Sequence, residues 1–302
     1  MSRNTMSAPI RDGEFSGGRP RRSWLFTPAT RPDRFDRAAR SGADVLIVDL
    51  EDAVPPADKA AARDAALTAL AAPPAAPILR ALRINAPVTP EGLEDLLALI
   101  RRPQGGGPDF VIVPKVDSPE TIRWIDTLLG GAGRPLPLVA LIESAPGIAA
   151  VEDIARASPR LAALFFGAAD LSADLGCATA WEPLLSARSR LINAAALAGI
   201  EAVDSPFFDL TDSAGLQREA ASALALGFGA KAAIHPGQIS TITATFTPTE
   251  AEIGQARRIL SESAKGVAVV DGRMIDEAMA RKARRILSRA TCADQPQEDH
   301  LP

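Results

Sequence analysis

The sequence predicts an α/β fold, a (β/α)₈ barrel followed by a C-terminal helical extension. Eight short apolar segments alternate with segments of helical pattern between residues 24 and 236. Strands that are apolar throughout are typical of parallel sheets covered on both faces. Eight such units, over roughly 220 residues, match the size of a closed barrel. An open doubly wound sheet would need a glycine-rich phosphate turn after the first strand, and the TPATRPD segment there is not one.

Each predicted element is bounded by residues that start or stop regular structure. Pro28 ends the first strand and Gly199 follows a helix, whereas Ser118, Pro119 and Glu120 supply an N-cap, a first-turn proline and a first-turn acid. The predicted strands are 24–27, 45–51, 78–84, 110–116, 138–142, 161–166, 201–207 and 231–236. The predicted helices are 31–40, 57–70, 90–102, a segment starting at 119, 148–156, 182–197 and 212–226.

Composition and charge exclude several classes of function. The 302 residues are 47% hydrophobic, which is typical of a globular protein with a full core. The 33 basic and 37 acidic residues give a net charge of −4, so we expect no nucleic-acid partner. No apolar run reaches about 18 residues, so we expect no membrane span. Two cysteines without CxxC spacing, Cys177 and Cys292, favour a reducing cytoplasm over a disulfide framework or a zinc site.

The chain divides into four predicted segments. Residues 1–20 are polar, glycine-rich and basic, and are predicted to be disordered. The barrel spans residues 21–245, and an extension or lid spans 246–290 with helices at 249–265 and 274–289 joined by a short strand-like link. Residues 291–302 form an acidic, proline-containing tail that is also predicted to be disordered.

Polar residues follow seven of the eight predicted strands. Because the reacting groups of such barrels lie on the loops after the strands, these residues are expected to share one rim. They are Asp49, Glu51, Asp52, Arg83, Asn85, Lys115, Glu143, Asp170, Asp204 and His235. Some have simpler interpretations: Asp204, before Ser-Pro, as a turn residue; His235 as a hydrogen-bonded structural histidine; and Lys115 as the partner of a neighbouring acid.

Glu143 and Asp170 are the predicted metal ligands. Each follows an apolar strand, and burying an unpaired carboxylate is costly unless a cation compensates it. Oxygen ligands favour Mg²⁺, with Mn²⁺ as an alternative. The alternative for each acid alone is a solvated loop residue or a helix N-cap. Arg83 is predicted to clamp an anion, because its planar guanidinium suits a carboxylate. Lys115, one strand from Glu143, is expected to stay charged, which disfavours a nucleophilic amine.

Several motifs follow one another in order between residues 21 and 287. They are RSWLFTPATRPDRFDRAARSGADVLIVDLEDAVPPADKAAAR, LRIN, VPKVDSPE, LIESAPG, FFGAADLSADLG, DSPF and GFGAKAAIHPGQI. In these motifs the chain resembles the citrate lyase β-subunit-like proteins of the HpcH/HpaI aldolase superfamily. The resemblance implies a (β/α)₈ barrel, a Mg²⁺-dependent carbon–carbon lyase and a homotrimeric or hexameric assembly. Its substrates are implied to be 3-hydroxy-acyl thioesters, such as citryl, malyl or citramalyl groups, on CoA or an acyl carrier protein.

The resemblance also implies roles for particular residues. Glu143 of IES and Asp170 of GAADL are implied to be the metal ligands, with Glu143 also near the substrate. Arg83 of RIN is implied to contact the substrate carboxylate or thioester oxygen, and the acidic DLED segment, with Asp49, to lie near the metal's waters. Asp276 of MID is implied to reach a neighbouring subunit's site as a catalytic acid or base. Further substrate contacts are expected from Phe26, beside the thioester, and from Arg37, with Arg31 and Arg34 as alternatives, near the CoA phosphates.

The function expected from these residues is cleavage, or formation, of a 3-hydroxy-acyl thioester. The hydroxyl proton goes to a base, either Asp276 or a water on the metal. The products are a 2-oxo acid and an acyl thioester, and Arg83 stabilises the enolate charge. Two alternatives are an aldolase that acts on free hydroxy-oxo acids and a non-catalytic barrel subunit.

Overall fold

Eight parallel strands close into a barrel, as the sequence predicts. The computed structural model describes residues 19–102, 106–263, 268–270 and 273–294. Each strand pairs with the next along the chain, and the last pairs with the first. The strands are β1 Ser23–Pro28, β2 Val45–Asp49, β3 Leu79–Arg83, β4 Phe110–Val113, β5 Leu138–Ile142, β6 Leu161–Phe166, β7 Glu201–Asp204 and β8 Ala230–Ala233.

Helices surround the barrel and continue beyond it. The α-helices are α1 Phe35–Ala39, α2 Lys59–Ala71, α3 Pro90–Arg101, α4 Pro119–Gly131, α5 Ala145–Ala149, α6 Val151–Ala155, α7 Ala168–Leu175, α8 Trp181–Ala198, α9 Ser213–Leu226, α10 Ile239–Phe246, α11 Glu250–Ser263 and α12 Glu277–Asp294. Short 3₁₀ turns precede α1, α2 and α10. None of the helices in the described part of the chain combines the length and apolarity that crossing a membrane requires.

The strands are apolar throughout because both of their faces are buried. In β2, Val45 and Ile47 belong to the cluster inside the barrel, whereas Leu46 and Val48 pack against the helices. Aromatic rings fill the barrel interior, where the ring centres of Trp24 and Phe110 lie 5.6 Å apart. A packed interior leaves the loops at the carboxyl ends of the strands as the place for chemistry.

The structure differs from the sequence prediction at two helical segments near the rim. The predicted helix 148–156 is two short helices, α5 and α6. The segment after β6, for which the sequence pattern indicates no helix, is α7, and Asp170 lies in its first turn. Gly176 ends α7 in the left-handed conformation, at φ 66°. Eight residues are too few for a clear helical period, which is why the pattern did not predict α7.

The C-terminal extension is a pair of helices that pack on each other, joined through a small antiparallel pair of strands. These strands are β9 Ala268–Val270 and β10 Arg273–Ile275. Helix α12 continues to Asp294, so the predicted start of the tail at residue 291 is too early. The rest of that tail, 295–302, and residues 1–18 of the predicted N-terminal segment lie outside the described residues.

Candidate active site at the carboxyl rim

A buried ion pair joins the ends of β2 and β3. Asp49 and Arg83 face each other in the strand register, so their side chains leave the sheet side by side. Arg83 donates from Nε and Nη2 to the two carboxylate oxygens of Asp49, each at 2.7 Å. The Arg83 pKa lies above its usual range, because the charges of Asp49, Glu51 and Asp52 outweigh the effect of burial. Arg83 is therefore a fixed cation at the rim.

Two further acids and a lysine extend this pair. Buried Glu51 lies 2.9 Å from Arg83 Nη1 through Oε2 and accepts a 2.7 Å hydrogen bond from Lys115 Nζ through Oε1. The exposed Asp52 lies 3.4 Å from Arg83 and 3.7 Å from Lys115. Burial raises the pKa of Glu51 although both cations oppose that shift. The Lys115 pKa is raised, because Glu51 and Asp52 outweigh burial, so its ammonium stays charged.

Glu143 follows β5 and Asp170 follows β6, and the two strands pair directly. The Glu143 side chain is buried, and its Oε1 accepts a 2.8 Å hydrogen bond from the backbone N–H of Lys115. Burial, with the nearby charges of Glu51 and Asp170, raises the pKa of Glu143 to about 8. Asp170 lies 3.8 Å from Lys115 Nζ. Both predicted metal ligands are therefore at one edge of the barrel mouth.

A divalent cation fits this pair of carboxylates. Mg²⁺ in proteins takes one or two carboxylates and fills its remaining positions with water and substrate oxygens. The cluster holds five carboxylates and two cations, and the raised pKa of Glu143 marks an acid whose charge is poorly compensated. Within the described ranges, no group of three His, Cys, Asp or Glu side chains meets the geometry of an all-protein metal site. The fit therefore rests on Glu143 and Asp170 together.

Gly167 leaves the space that Glu143 occupies. A Cβ at position 167 would lie 2.4 Å from Glu143 Cβ and 2.8 Å from Glu143 Oε2, closer than real contacts allow. We expect Gly167→Ala to displace the glutamate and weaken Mg²⁺ binding by about tenfold or more, with a loss of about 1–3 kcal/mol in unfolding free energy from overpacking. Titration calorimetry and thermal unfolding measure the two effects. Gly131→Ala is the control, because its Cβ would meet nothing within 4 Å; unchanged Mg²⁺ affinity in Gly167→Ala would contradict the expectation.

The raised pKa of Glu143 predicts a pH dependence of stability. A carboxylate with a pKa of about 8 in the folded protein, against 4.5 as its ordinary value, holds its proton more tightly when folded. The folded protein should therefore lose stability relative to the unfolded chain as pH rises from about 4.5 to 8. In chelator, the unfolding free energy of the wild type minus that of Glu143→Gln should fall by a few kcal/mol between pH 5 and pH 8, at about 1.4 kcal/mol per pKa unit. A difference independent of pH would rule out Glu143 as the source.

Three other predicted site residues lie at different distances from this cluster. The half-buried Phe26 packs against Arg83, whose guanidinium carbon lies 5.0 Å from the ring centre. Arg37 is exposed on α1, in the loop-and-helix segment after β1. Asp276 is exposed and accepts a 2.8 Å hydrogen bond from the N–H of Met279 at the start of α12. Within this one chain, the described contacts bring Phe26 to the cluster, and bring neither Arg37 nor Asp276.

Two strand-end residues are structural. Asp204 is fully buried and holds Arg188 Nε at 2.9 Å and Lys231 Nζ at 2.6 Å, so the interpretation as a turn residue is wrong. These cations lower its pKa despite complete burial. His235 accepts the N–H of Gly237 through Nδ1, in agreement with a structural histidine. The partners of Asp204 lie on α8 and β8, and the partner of His235 lies two residues further along the chain.

Asn85 also has a structural role, because its hydrogen bonds go to helix α3. Its backbone N–H and side-chain amide both donate to Asp95 Oδ2, at 2.8 and 2.7 Å, and Arg63 donates to the other carboxylate oxygen of Asp95 at 2.6 Å. Asp95 lies on α3 and is almost completely buried. The asparagine therefore anchors the loop after β3 to α3.

Asp174 is a residue of this rim that the sequence pattern did not single out. It lies on α7, one turn after Asp170, and its Oδ2 accepts a 2.6 Å hydrogen bond from the N–H of Ala145, two residues after Glu143. It thereby ties the loop that carries one candidate ligand to the helix that carries the other. The i, i+4 spacing of Asp170 and Asp174 is the signal, and it becomes visible only once α7 is known to be a helix.

The fold and the rim together define a class of protein. A closed parallel barrel presents a pair of carboxylates suited to a divalent cation beside a fixed arginine, an arrangement that fits a metal-assisted enzyme for a small anionic substrate. The sequence profile of the HpcH/HpaI aldolase/citrate lyase family matches residues 22–236. The chain therefore belongs to the HpcH/HpaI aldolase/citrate lyase family.

Relatives and solved structures agree with this membership. An L-malyl-CoA/β-methylmalyl-CoA lyase of Cereibacter sphaeroides is 35% identical over 303 aligned residues, covering 90% of this chain and 95% of that enzyme. Mycobacterium tuberculosis CitE, solved with magnesium, acetoacetate and coenzyme A, is 34% identical with a TM-score of 0.75, over 90% of this chain and 99% of that one. RipC from Yersinia pestis is 50% identical with a TM-score of 0.68, over 77% and 97%.

Proposed function

We propose that this protein is a Mg²⁺-dependent carbon–carbon lyase that cleaves, or forms, a 3-hydroxy-acyl-CoA thioester. The products of cleavage are a 2-oxo acid and an acyl thioester. The observation that carries the proposal is the pairing of Glu143 and Asp170 at adjacent strand ends, on a chain similar along 90% of its length to a malyl-CoA lyase. The complex of CitE with magnesium, acetoacetate and coenzyme A supports the same cofactor and the same kind of substrate.

Glu143 and Asp170 are the residues proposed to hold the cation. When bound, Mg²⁺ supplies Lewis acidity toward the oxygen that changes between hydroxyl and keto forms. The N–H of Lys115 fixes Glu143 Oε1, and Gly167 leaves room for Glu143 Oε2. Glu143 is thus held in place before a metal binds.

Arg83 is proposed to stabilise the enolate that forms on the acyl thioester when the carbon–carbon bond breaks. Its positive charge is permanent, and Asp49 fixes the plane of the guanidinium through two hydrogen bonds. A donor held in place before the reaction stabilises developing charge without the cost of reorganisation. Asp49 is thereby a positioning residue in this proposal. Phe26, packed on Arg83, would border the thioester, and the exposed Arg37 would pair with CoA phosphate.

Asp276 is proposed to act from a neighbouring subunit of a cytoplasmic homotrimer or hexamer. Helices α11 and α12 pack chiefly on each other, and Asp276 lies exposed at the start of α12. An exposed carboxylate on such an extension is free to take the hydroxyl proton in a second subunit's site. Light scattering should therefore give the mass of three or six chains. The low cysteine content agrees with a reducing compartment.

A mixing experiment tests the shared site. Glu143→Gln and Asp276→Asn should each be inactive, and mixed oligomers should regain part of the activity, because some sites combine an intact Glu143 with a partner's intact Asp276. Mixing Glu143→Gln with Asp170→Asn is the control, since both changes fall in the same half of the site and no intact site can form. Equal recovery in the two mixtures would contradict the proposal.

The reaction itself is tested with purified protein and a panel of malyl-, citramalyl- and citryl-CoA, with and without Mg²⁺. Release of a 2-oxo acid from at least one thioester, dependent on Mg²⁺, is expected. Acetyl-CoA with Mg²⁺ should also raise the melting temperature. Cleavage of free hydroxy-oxo acids without any effect of acetyl-CoA would replace the proposal with an aldolase for free acids. An intact fold that binds no metal would indicate a non-catalytic subunit.

A further inference from the structure

Lys115 has an unusual backbone conformation directly after β4. Its φ is +52°, and it is the single non-glycine residue with positive φ in the described part of the chain. A lysine in the left-handed region is strained, and such strain persists where surrounding contacts enforce it. The conformation points the Lys115 N–H at Glu143 Oε1, 2.8 Å away. The strained backbone of Lys115 therefore helps to hold Glu143, one of the two candidate metal ligands, in place.

The side chain of the same lysine reaches the other acids of the rim. Its ammonium lies 2.7 Å from Glu51, 3.7 Å from Asp52 and 3.8 Å from Asp170. The side chain is 45% exposed, so it enters the cluster from the barrel mouth and has space to withdraw. One residue thus contacts both candidate metal ligands, through its backbone at Glu143 and through its charge at Asp170.

An ammonium 3.8 Å from Asp170 Oδ2 competes with a cation for the charge of that carboxylate. Two positive charges near one cluster repel each other, and the repulsion is strong where the acids are buried. An incoming 2-oxo acid carries a carboxylate that offers the ammonium a new partner at the mouth. Withdrawal of the ammonium toward that carboxylate would leave the charge of Asp170 to the metal.

We propose that Lys115 is a positioning residue that couples Mg²⁺ binding to binding of the oxo acid. Its ammonium competes with Mg²⁺ when no oxo acid is bound, and transfers to the oxo-acid carboxylate when one arrives. Each ligand then raises the affinity for the other by the same factor, as thermodynamic linkage requires. The proposal rests on the proposed function, because it assumes Mg²⁺ on Glu143 and Asp170 and an oxo acid at the same rim.

Titration calorimetry at pH 7.5 tests the coupling in the full-length, chelator-treated protein. Mg²⁺ is titrated alone and in the presence of saturating pyruvate. In the wild type, pyruvate should tighten Mg²⁺ binding by about tenfold or more, within the usual range of coupling. In Lys115→Gln, Mg²⁺ alone should bind about fivefold tighter or more, and the factor by which pyruvate tightens Mg²⁺ binding should fall about fivefold or more below its wild-type value. Any coupling that remains comes from direct contact between pyruvate and the metal. Tighter metal binding after removal of a side chain is a result that mere loss of structure does not produce.

Two further variants serve as a substitute and as a control for Lys115→Gln. Lys115→Gly also removes the ammonium, and glycine adopts φ +52° without strain, so it replaces Lys115→Gln if that variant does not fold. Arg123→Gln removes one positive charge from α4 in the same strand–helix unit, where Arg123 pairs with exposed Glu120, and should leave Mg²⁺ affinity and coupling unchanged. Unchanged or weaker Mg²⁺ binding in both Lys115 variants, or intact pyruvate coupling, overturns the inference.

The outcome is independent of turnover. If no CoA thioester is cleaved but Lys115→Gln binds Mg²⁺ more tightly and shows weaker coupling than the wild type, the proposed reaction fails and the inference about Lys115 stands. If thioesters are cleaved but the lysine variants show wild-type coupling, the reaction stands and the inference fails.

Discussion

Replacing Glu143 with glutamine should abolish Mg²⁺ binding and lower kcat/KM by about a thousandfold or more. The amide keeps the shape of the side chain but removes the negative charge, and hard cations bind neutral amide oxygens less well than carboxylates. A metal that polarises a substrate oxygen lowers the activation free energy by several kcal/mol, so removing it should slow the reaction greatly. Titration calorimetry with Mg²⁺ and the thioester assay measure the two losses, and Asp170→Asn should show both.

The control for this prediction is Glu152→Gln. Glu152 lies on α6, which follows β5 as Glu143 does. It pairs with Arg190 on the surface and is not part of the rim cluster. That variant should keep wild-type Mg²⁺ affinity and activity, because exposed ion pairs contribute little. Full activity of Glu143→Gln or Asp170→Asn in chelator would end the metal assignment.

Replacing Arg83 with methionine should affect catalysis and stability together. Among the described residues, Asp49 would keep only the N–H of Glu51 as a hydrogen-bond donor, and it would stay buried with an uncompensated charge. Breaking one side of a buried ion pair costs about 3–5 kcal/mol in unfolding free energy. Loss of the charge that is proposed to stabilise the enolate should lower kcat/KM by about a hundredfold to a thousandfold. Denaturant unfolding and the thioester assay provide the measurements.

The two effects of Arg83 can be separated. In the double variant Asp49→Asn with Arg83→Met, neither charge of the Asp49–Arg83 pair remains, so part of the lost stability should return while activity stays low. The return is partial because buried Glu51 still lacks its contact with Arg83. Arg83→Lys keeps the charge but not the planar pair of donors, and should recover activity only in part. Near wild-type activity of the double variant would show that Arg83 acts through stability alone.

The barrel follows from local properties of the sequence. All eight predicted strands are present in order, because an uninterrupted apolar segment between breakers such as Pro28 and Gly199 has few other places in a folded protein. The position of Glu143 follows as well, since a residue directly after an apolar strand lies at the rim. The short helix α7 was not predicted, because eight residues carry too little periodicity.

The amino-acid pattern alone is enough to establish the strand order, the family and the set of polar residues available at one rim. Which of those residues meet depends on how the chain folds. Asp204 and Asn85 bond to buried partners away from the rim cluster, whereas Lys115 contacts Glu51 through its ammonium and Glu143 through its backbone N–H. This is because the end of a strand fixes only the backbone position of a residue, whereas the groups that its side chain bonds to come from residues distant in the chain. Closure of the barrel brings those residues within hydrogen-bonding distance.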